Sequence, residues 1–188
     1  MRMARIAPIA VLFALSSCAS TPAEKTQNNL RTFELEQSPE RLFERGKGFA
    51  MVGDSTRAEE YFAAAIEKGG DSRAIIPRLL EVCIRDGRYR VAVDYAENHL
   101  SKHPEDVETR FVLGTLYAGL GDSQKAQSQV AAVIKARPDE SKARYAMAVI
   151  LKDSGDLVGS DREFREYLRL EPNGPHAEKA HNSLLKSV

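Results

Sequence analysis

The pattern of apolar and polar residues between residues 39 and 174 repeats four times, and the third repeat shows it best. Val107 to Leu120 and Gln124 to Arg137 both have apolar residues at helical spacing. The residues between them, Gly121 to Ser123, supply a helix-ending glycine and side chains that cap the next helix. Pro138 follows the second stretch and ends it, because proline has no N–H to continue a helix. Each repeat is therefore predicted to be a pair of helices joined by a short turn.

These features recur at a fixed interval of 34 residues. The turn glycines, the prolines after the second helices and a small residue in each second helix all keep this interval. In that order they are Gly53, Gly87, Gly121 and Gly155, then Pro104, Pro138 and Pro172, then Ala58, Ala92, Ala126 and Ser160. A fixed period of this size predicts stacked helical repeats. We place the four repeats at 39–72, 73–106, 107–140 and 141–174.

The segment 175–188 has apolar residues on one helical face, and the rest of it is polar. The apolar residues are Ala177, Ala180, Leu184 and Val188. Because the end of a repeat array must present a polar face to water, this segment is predicted to be a capping helix.

The repeats resemble the tetratricopeptide repeat family in the chemistry of their packing positions as well as in their period. The small eighth residue of that family corresponds to Gly46 and Gly114, and its aromatic eleventh residue to Phe49 and Tyr117. The resemblance implies an all-α fold, a right-handed solenoid of four repeats. Leu80 departs from the pattern, and with Pro77 it predicts that the first helix of the second repeat starts late.

In this family, the first helix of each repeat lines a concave groove that binds another protein. The resemblance implies the following groove residues: Phe43, Lys47, Met51, Arg78, Glu81, Phe111, Val112, Tyr145, Val149 and Lys152. The fifth position of the repeats reads Phe43, Pro77, Phe111 and Tyr145, an apolar stripe with three rings. Exposed aromatic rings favour a peptide or helix of a partner. The alternative is that these rings pack against the next repeat or the N-terminal tether, since aromatic residues at helical spacing are often core.

Residues 1–17 have the pattern of an export signal. Arg2 and Arg5 precede an apolar stretch, Ile6 to Leu15, that is too short to span a membrane. The sequence Leu15 to Cys18 resembles the bacterial lipoprotein box. That resemblance implies cleavage before Cys18 and attachment of a lipid carrying palmitate to its sulfur. The alternative is a plain signal peptide with a chance cysteine.

The residues after the lipoprotein box bear on location. Ala19 stands where an aspartate tends to hold lipoproteins in the inner membrane, so the resemblance implies an outer-membrane lipoprotein facing the periplasm. Residues 18–38 then form a lipidated, largely polar tether. Leu30, Phe33 and Leu35 interrupt its polarity, and they either dock on the first repeat or form a ligand-like segment.

The charge and cysteine content exclude some functions. The chain has 27 basic and 27 acidic residues, and removal of residues 1–17 leaves a slight acidic excess, which argues against nucleic-acid binding. Once Cys18 is lipidated, only Cys83 remains, so no intramolecular disulfide is possible. Cys83 occupies a helix-packing position and is predicted to be buried and inert.

The sequence contains no pattern typical of a catalytic site. His99 and His103 are four residues apart, but we identify no acidic or cysteine partner at a fixed nearby offset, so no metal site is predicted. No nucleophile elbow or phosphate-binding glycine loop occurs, and we predict no catalytic residue and no cofactor. The pairs Glu59-Glu60 and Arg162-Glu163 are predicted to be solvated helix faces.

The leading hypothesis is a non-catalytic adaptor that binds an envelope protein or peptide through its groove. In plan the chain resembles pilotin lipoproteins and the tetratricopeptide lipoproteins of tight-adherence pili, which implies a role in assembling a pilus, secretion or other envelope complex. One alternative is an accessory subunit of a cell-wall or polysaccharide enzyme system. Another is a nucleic-acid binder of the related 35-residue helical-repeat type, against which export and neutral charge argue. Self-association into a homo-oligomer stays open.

Overall fold

The computed structural model describes residues 26–27 and 36–185. The predicted signal, Cys18 and the three apolar tether residues Leu30, Phe33 and Leu35 lie outside the described residues. Contacts within the chain define two units, residues 1–36 and residues 37–188, and the second contains the repeats.

Between residues 36 and 185 the chain forms helices and no strand. The helices are α1 Pro39–Met51, α2 Ser55–Glu67, α3 Ser72–Arg85, α4 Tyr89–Lys102, α5 Val107–Gly119, α6 Ser123–Ala136, α7 Ser141–Asp153, α8 Leu157–Leu170 and α9 Ala177–Ser183. Each packs against the next along the chain, so four helix pairs stack into a solenoid that α9 closes. Within the described part of the chain, no helix is both long and apolar enough to cross a membrane.

The helix ends lie close to where their capping residues predict them. Ser38 accepts the backbone N–H of Arg41 at 3.3 Å and begins α1, and Asp122 accepts that of Lys125 at 3.1 Å and begins α6. The turn glycine of each repeat has a positive φ, from 71° to 89°. Only glycine adopts this conformation without strain, which is why the residue recurs at every turn.

The second repeat corrects one prediction. Its first helix does not start late, because α3 begins at Ser72, where Asp71 accepts the backbone N–H of Arg73 at 3.0 Å. Pro77 lies inside this helix. It lacks the N–H that would bond to the carbonyl of Arg73, and its ring crowds that carbonyl. The buried neighbours Ile76 and Leu79 hold the helix against the core despite that loss.

The two helices of a repeat approach closely where their side chains differ in size. A Cβ atom on Gly46 would lie 2.6 Å from the ring of Phe62, and one on Gly114 would lie 2.8 Å from Val130. In the second repeat the sizes are exchanged, since Leu80 replaces the glycine and Ala96 stands at the place of Phe62, and both are buried. Close packing therefore depends on the summed volume of the pair and not on glycine itself.

The C-terminal segment forms the predicted capping helix. Ala177 and Ala180 on α9 are buried, and Ala180 packs in a cluster with Phe164 and Tyr167 of α8. The helix is shorter than the predicted segment, because it ends at Ser183.

Candidate partner-binding groove

The first helices of the repeats border two mostly apolar clefts. The first, here called the α3–α5 cleft, has a volume of about 500 Å³. Its lining residues are Pro77, Leu80, Glu81, Ile84, Arg85, Glu108, Thr109 and Val112. Apolar side chains of α3, the helix that continues through Pro77, form its floor.

The second, here called the α5–α7 cleft, has a volume of about 400 Å³ and contains more aromatic residues. Its lining residues are Phe111, Thr115, Ala118, Lys142, Tyr145, Ala146, Val149, Ile150, Tyr167, Glu171, Pro175 and His176. Besides α5 and α7, it is bordered by Tyr167 of α8 and by the segment that links α8 to α9.

Tyr145 is held in the α5–α7 cleft by other rings. Its ring makes edge contacts with Phe164 and Tyr167, at centroid distances of 5.7 and 5.3 Å. It also stacks on the imidazole of His176, with centroids 4.2 Å apart and planes at 17°. These contacts fix the ring before any ligand arrives, which lowers the entropy cost of binding.

The segment 171–176 forms one wall of this cleft. The Tyr167 hydroxyl accepts the backbone N–H of His176 at 3.1 Å, and Glu171 accepts the Ser141 hydroxyl at 2.7 Å. A Cβ atom on Gly174 would lie 2.5 Å from the Tyr167 hydroxyl oxygen, so only glycine fits there without a shift. No sequence pattern predicted this wall, because it lies outside the family's groove positions and His176 belongs to none of the repeated motifs.

Five of the ten predicted groove residues line the two clefts. Phe111, Tyr145 and Val149 line the α5–α7 cleft, whereas Glu81 and Val112 line the α3–α5 cleft. Phe111 and Val112 are consecutive residues of α5, and each lines a different cleft. Both are half-buried, so each combines packing with an accessible surface.

Phe43 and Lys47 lie in a different arrangement at the first repeat. The Phe43 ring packs on Phe62, with centroids 5.6 Å apart. The Lys47 ammonium lies 5.1 Å from the centroid of that ring and 2.7 Å from Glu44. Here the ring packs against the second helix of its own repeat.

The other three predicted residues lie on the surface beyond the two clefts. Arg78 forms an ion pair with Glu81 at 3.0 Å, and Lys152 donates to the Ser183 hydroxyl at 3.1 Å. Met51 is 88% exposed at the end of α1. That all ten residues contact a partner stays a prediction.

The α5–α7 cleft carries an available positive charge. Lys142 lines it and is exposed. Among the described residues, no carboxylate lies within 4.0 Å of the Lys142 ammonium, the longest distance of an ion pair. Glu171 also lines the cleft, but Ser141 already occupies one of its oxygens. The cleft therefore offers apolar contact beside the cation of Lys142 and the anion of Glu171.

The two histidines correct another prediction. His99 has an acidic partner after all, since its Nε2 lies 2.8 Å from Oδ2 of Asp106. Burial acts to raise the pKa of the Asp106 carboxyl, but hydrogen bonds from Thr109 and His99 outweigh it and hold that pKa below its ordinary value. His99 is buried, and its ring lies 4.7 Å from that of His103. The contact between His99 and Asp106 links α4 to the start of α5. No cluster able to hold a metal occurs between residues 36 and 185.

Two carboxylates predicted to be solvated are instead covered. Glu59 accepts the Tyr95 hydroxyl at 3.1 Å and is paired with Arg88, and Glu163 is buried against Arg144 at 2.9 Å. The prediction was wrong for these two because their partners lie on neighbouring helices, which adjacency in sequence does not reveal. Burial and the nearby Glu59 raise the pKa of Tyr95 to about 12.

The prediction that Cys83 is buried is confirmed. Burial, followed by the charge of Glu59, raises the pKa of its thiol to about 12. Since the thiolate is the reactive form, the thiol is unreactive at neutral pH.

Comparison with known proteins identifies the fold. Residues 83–150 match the model of a tetratricopeptide repeat family. The stacked helix pairs form a tetratricopeptide-repeat solenoid. A tetratricopeptide protein from Parabacteroides merdae superposes with a TM-score of 0.71 at 23% identity, covering 78% of this chain and 59% of that one. YrrB, described as a tetratricopeptide protein with an unusual peptide-binding site, superposes with a TM-score of 0.69 at 20% identity, covering 84% and 86%.

A curated relative matches a shorter part of the tetratricopeptide solenoid. The BBSome complex member BBS4 homolog of Drosophila melanogaster is 28% identical over 116 residues, which is 61% of this chain and 24% of that protein. The chain thus spans about a quarter of that relative's length and 59% of the Parabacteroides protein. Together the matches support a scaffold that mediates protein–protein interaction, a class of fold that is generally non-catalytic.

Proposed function

We propose that this protein is a lipid-anchored adaptor of the bacterial outer membrane that faces the periplasm. It holds a segment of another envelope protein in the α5–α7 cleft and takes part in assembling a pilus, a secretion system or another envelope complex. The observation that carries this proposal is the cleft itself, which is apolar, open and bordered by prearranged aromatic rings.

The size of the cleft limits what it binds. A volume of about 400 Å³ accommodates one or two large apolar side chains of an extended segment or a helix. Phe111 and Val149 offer apolar contact on facing helices, and Lys142 offers a charge to an acidic neighbour of those side chains. YrrB, a tetratricopeptide protein with an unusual peptide-binding site, supports binding of a peptide by this kind of fold.

The proposed anchor comes from the sequence. The box Leu15 to Cys18 supports a lipidated cysteine at the start of the mature chain. A single acyl chain binds membranes only marginally, whereas two or more anchor a protein stably. Such an anchor would keep the cleft close to membrane-bound partners and raise their effective concentration.

The test is photo-crosslinking in cells that express the lipidated protein. A photoreactive amino acid replaces Phe111, and the adduct is identified by mass spectrometry. The matched control carries the same amino acid at position 43, the same place in the first repeat, where the native ring packs on Phe62. We expect an adduct with one envelope protein from position 111 and none from position 43.

The identity of the adduct decides between the two functions. A pilus or secretion component supports the proposed adaptor. A cell-wall or polysaccharide enzyme would support the accessory-subunit alternative, and equal adducts from both positions would mean that the α5–α7 cleft is not the binding site.

A further inference from the structure

The large apolar side chains that are exposed between residues 36 and 185 share one edge of the solenoid. Six of them lie at the turns between the two helices of a repeat: Met51, Val52, Tyr89, Leu120, Leu157 and Val158. The seventh, Leu185, follows α9, and its N–H bonds to Asp161 in the second turn of α8.

The chain path explains why these residues lie together. Every first helix ends, and every second helix begins, at the turn within its repeat, so all four turns lie on one edge, here called the turn edge. The opposite edge, here called the junction edge, contains the connections between repeats. No exposed large apolar residue occurs on the described part of the junction edge.

The exposure at the turn edge is substantial. Met51 is 88% exposed, Val52 77% and Val158 73%. Single apolar residues on a surface are ordinary, but confinement of the whole set to one edge is typical of a surface that contacts something else.

The arrangement of these residues fits a lipid surface better than a protein. Glycines and capping aspartates of the turns separate the apolar side chains, and neighbouring helices stand 8–10 Å apart in such packing. A protein interface needs a continuous, closely packed apolar centre, which separated side chains do not provide. The fluid interface of a bilayer accepts each side chain individually.

Two of the capping aspartates at the turn edge are already engaged. Asp54 and Asp122 accept backbone N–H groups at 3.0 and 3.1 Å and pair with Arg57 and Lys125. Their charges are therefore partly compensated before the edge approaches a membrane, which reduces the cost of desolvation.

The chain length between the anchor and the solenoid permits this contact. About 20 residues between Cys18 and Pro39 extend to at most about 70 Å, whereas a 13-residue helix such as α1 is about 20 Å long. The chain enters at the junction edge and is long enough for the turn edge to reach the bilayer.

We infer that the turn edge rests in the interfacial layer of the membrane that carries the lipid anchor, with Met51, Val52, Leu157 and Val158 inserted among the lipid headgroups. This inference rests on the proposed anchor at Cys18. The helix axes would then stand on the membrane, and both clefts would open sideways, toward partners at the membrane surface.

The test measures which edge contacts lipid. The lipidated full-length protein is placed on vesicles of phosphatidylethanolamine and phosphatidylglycerol that contain a lipid-borne fluorescence quencher. An environment-sensitive dye is attached to Val52→Cys or Val158→Cys on the turn edge, and in matched controls to Ser101→Cys or Ala136→Cys, which are exposed near the junction edge. Buried Cys83 does not compete for the dye, because burial raises the pKa of its thiol to about 12.

We expect strong quenching from positions 52 and 158 and little from positions 101 and 136. Equal quenching from both edges, or none from the turn edge, would overturn the inference. Flotation of the same sample separates the two hypotheses: a chain that floats without edge quenching defeats only the turn-edge contact, whereas a chain that does not float defeats the anchor and with it the inference.

A second variant tests the contact without the anchor. The double substitution Val52→Ser and Val158→Ser removes exposed methyl groups from the non-lipidated Cys18→Ser chain. We expect about a tenfold fall in its vesicle affinity, since membrane affinity grows with each buried carbon. Unchanged vesicle affinity, together with a specific protein adduct from a photoreactive residue at position 158 in cells, would assign the turn edge to a protein partner instead.

Discussion

The first and fourth repeats place an aromatic ring at the same position and use it differently. Phe43 and Tyr145 both occupy the fifth place of a first helix, and each contacts an aromatic ring of the second helix, Phe62 or Tyr167. In both repeats a glycine makes room for that second ring, Gly46 beside Phe62 and Gly174 beside Tyr167.

What differs is the wall beside the ring. In the fourth repeat the segment 171–176 stands beside Tyr145 and completes an open cleft with Phe111. In the first repeat Lys47 lies over Phe43, and that ring lines neither cleft. The repeat position therefore decides which way a ring points, and the neighbouring segments decide whether that ring can meet a ligand.

The largest expected effect comes from removing the ring that belongs to both core and cleft. Tyr145→Ala should lower the free energy of unfolding by about 2–4 kcal/mol, because the side chain contacts three rings. Denaturant unfolding measures it. Tyr145→Phe is the control and should cost under about 1 kcal/mol, since it keeps the ring. Equal losses in both variants would contradict the packing role of the ring.

The glycine of the first repeat gives the next effect. Gly46→Ala should lower the free energy of unfolding by about 1–3 kcal/mol, because its Cβ would lie 2.6 Å from Phe62. Gly48→Ala, on the same helix with no atom within 4 Å of its Cβ, should raise stability by about 0.5–1 kcal/mol. Thermal unfolding of the two variants should shift in opposite directions. Stabilisation of both variants would show that helix propensity, and not the contact with Phe62, decides the outcome.

Phe111 and Phe43 occupy the same position in two repeats, so substituting each tests whether the neighbouring segments decide which ring binds a partner. Phe111→Ala should weaken binding of the crosslinked partner by about tenfold or more, as expected for an aromatic anchor in a cleft. Phe43→Ala should leave binding unchanged and lower stability instead, because its ring packs on Phe62. Titration calorimetry with the partner segment and unfolding of each variant separate the two. Loss of binding in Phe43→Ala would extend the groove to the first repeat.

The smallest expected effect concerns charge. Lys142→Ala should weaken the binding of an acidic partner segment by under about 1 kcal/mol, because the lysine is exposed and solvent screens its charge. The difference should vanish at high salt. Lys152→Ala is the matched control, since that lysine lies on the same helix and bonds to Ser183 outside the cleft. An equal effect of both substitutions would indicate a general charge attraction.

The pattern of small and apolar residues predicted most of the fold but only part of the site. The 34-residue period located the turns, and the positive φ values at Gly53, Gly87, Gly121 and Gly155 confirm the reason for it. The late start predicted for α3 was wrong, because burial of Ile76 and Leu79 outweighs the cost of Pro77. The wall formed by Gly174 and His176 went unpredicted, since it lies outside the family's groove positions.

The sequence by itself determined which residues turn the chain and which faces of the helices are apolar, because local conformation and periodicity depend on residues near each other in the chain. Only the tertiary structure decided which polar groups are covered and where a cleft opens. Asp106 reaches His99 and Glu163 reaches Arg144 across helix boundaries, and His176 stacks on Tyr145 from beyond the last repeat. Such contacts depend on how helices pack, and a single sequence carries no local signal of that packing.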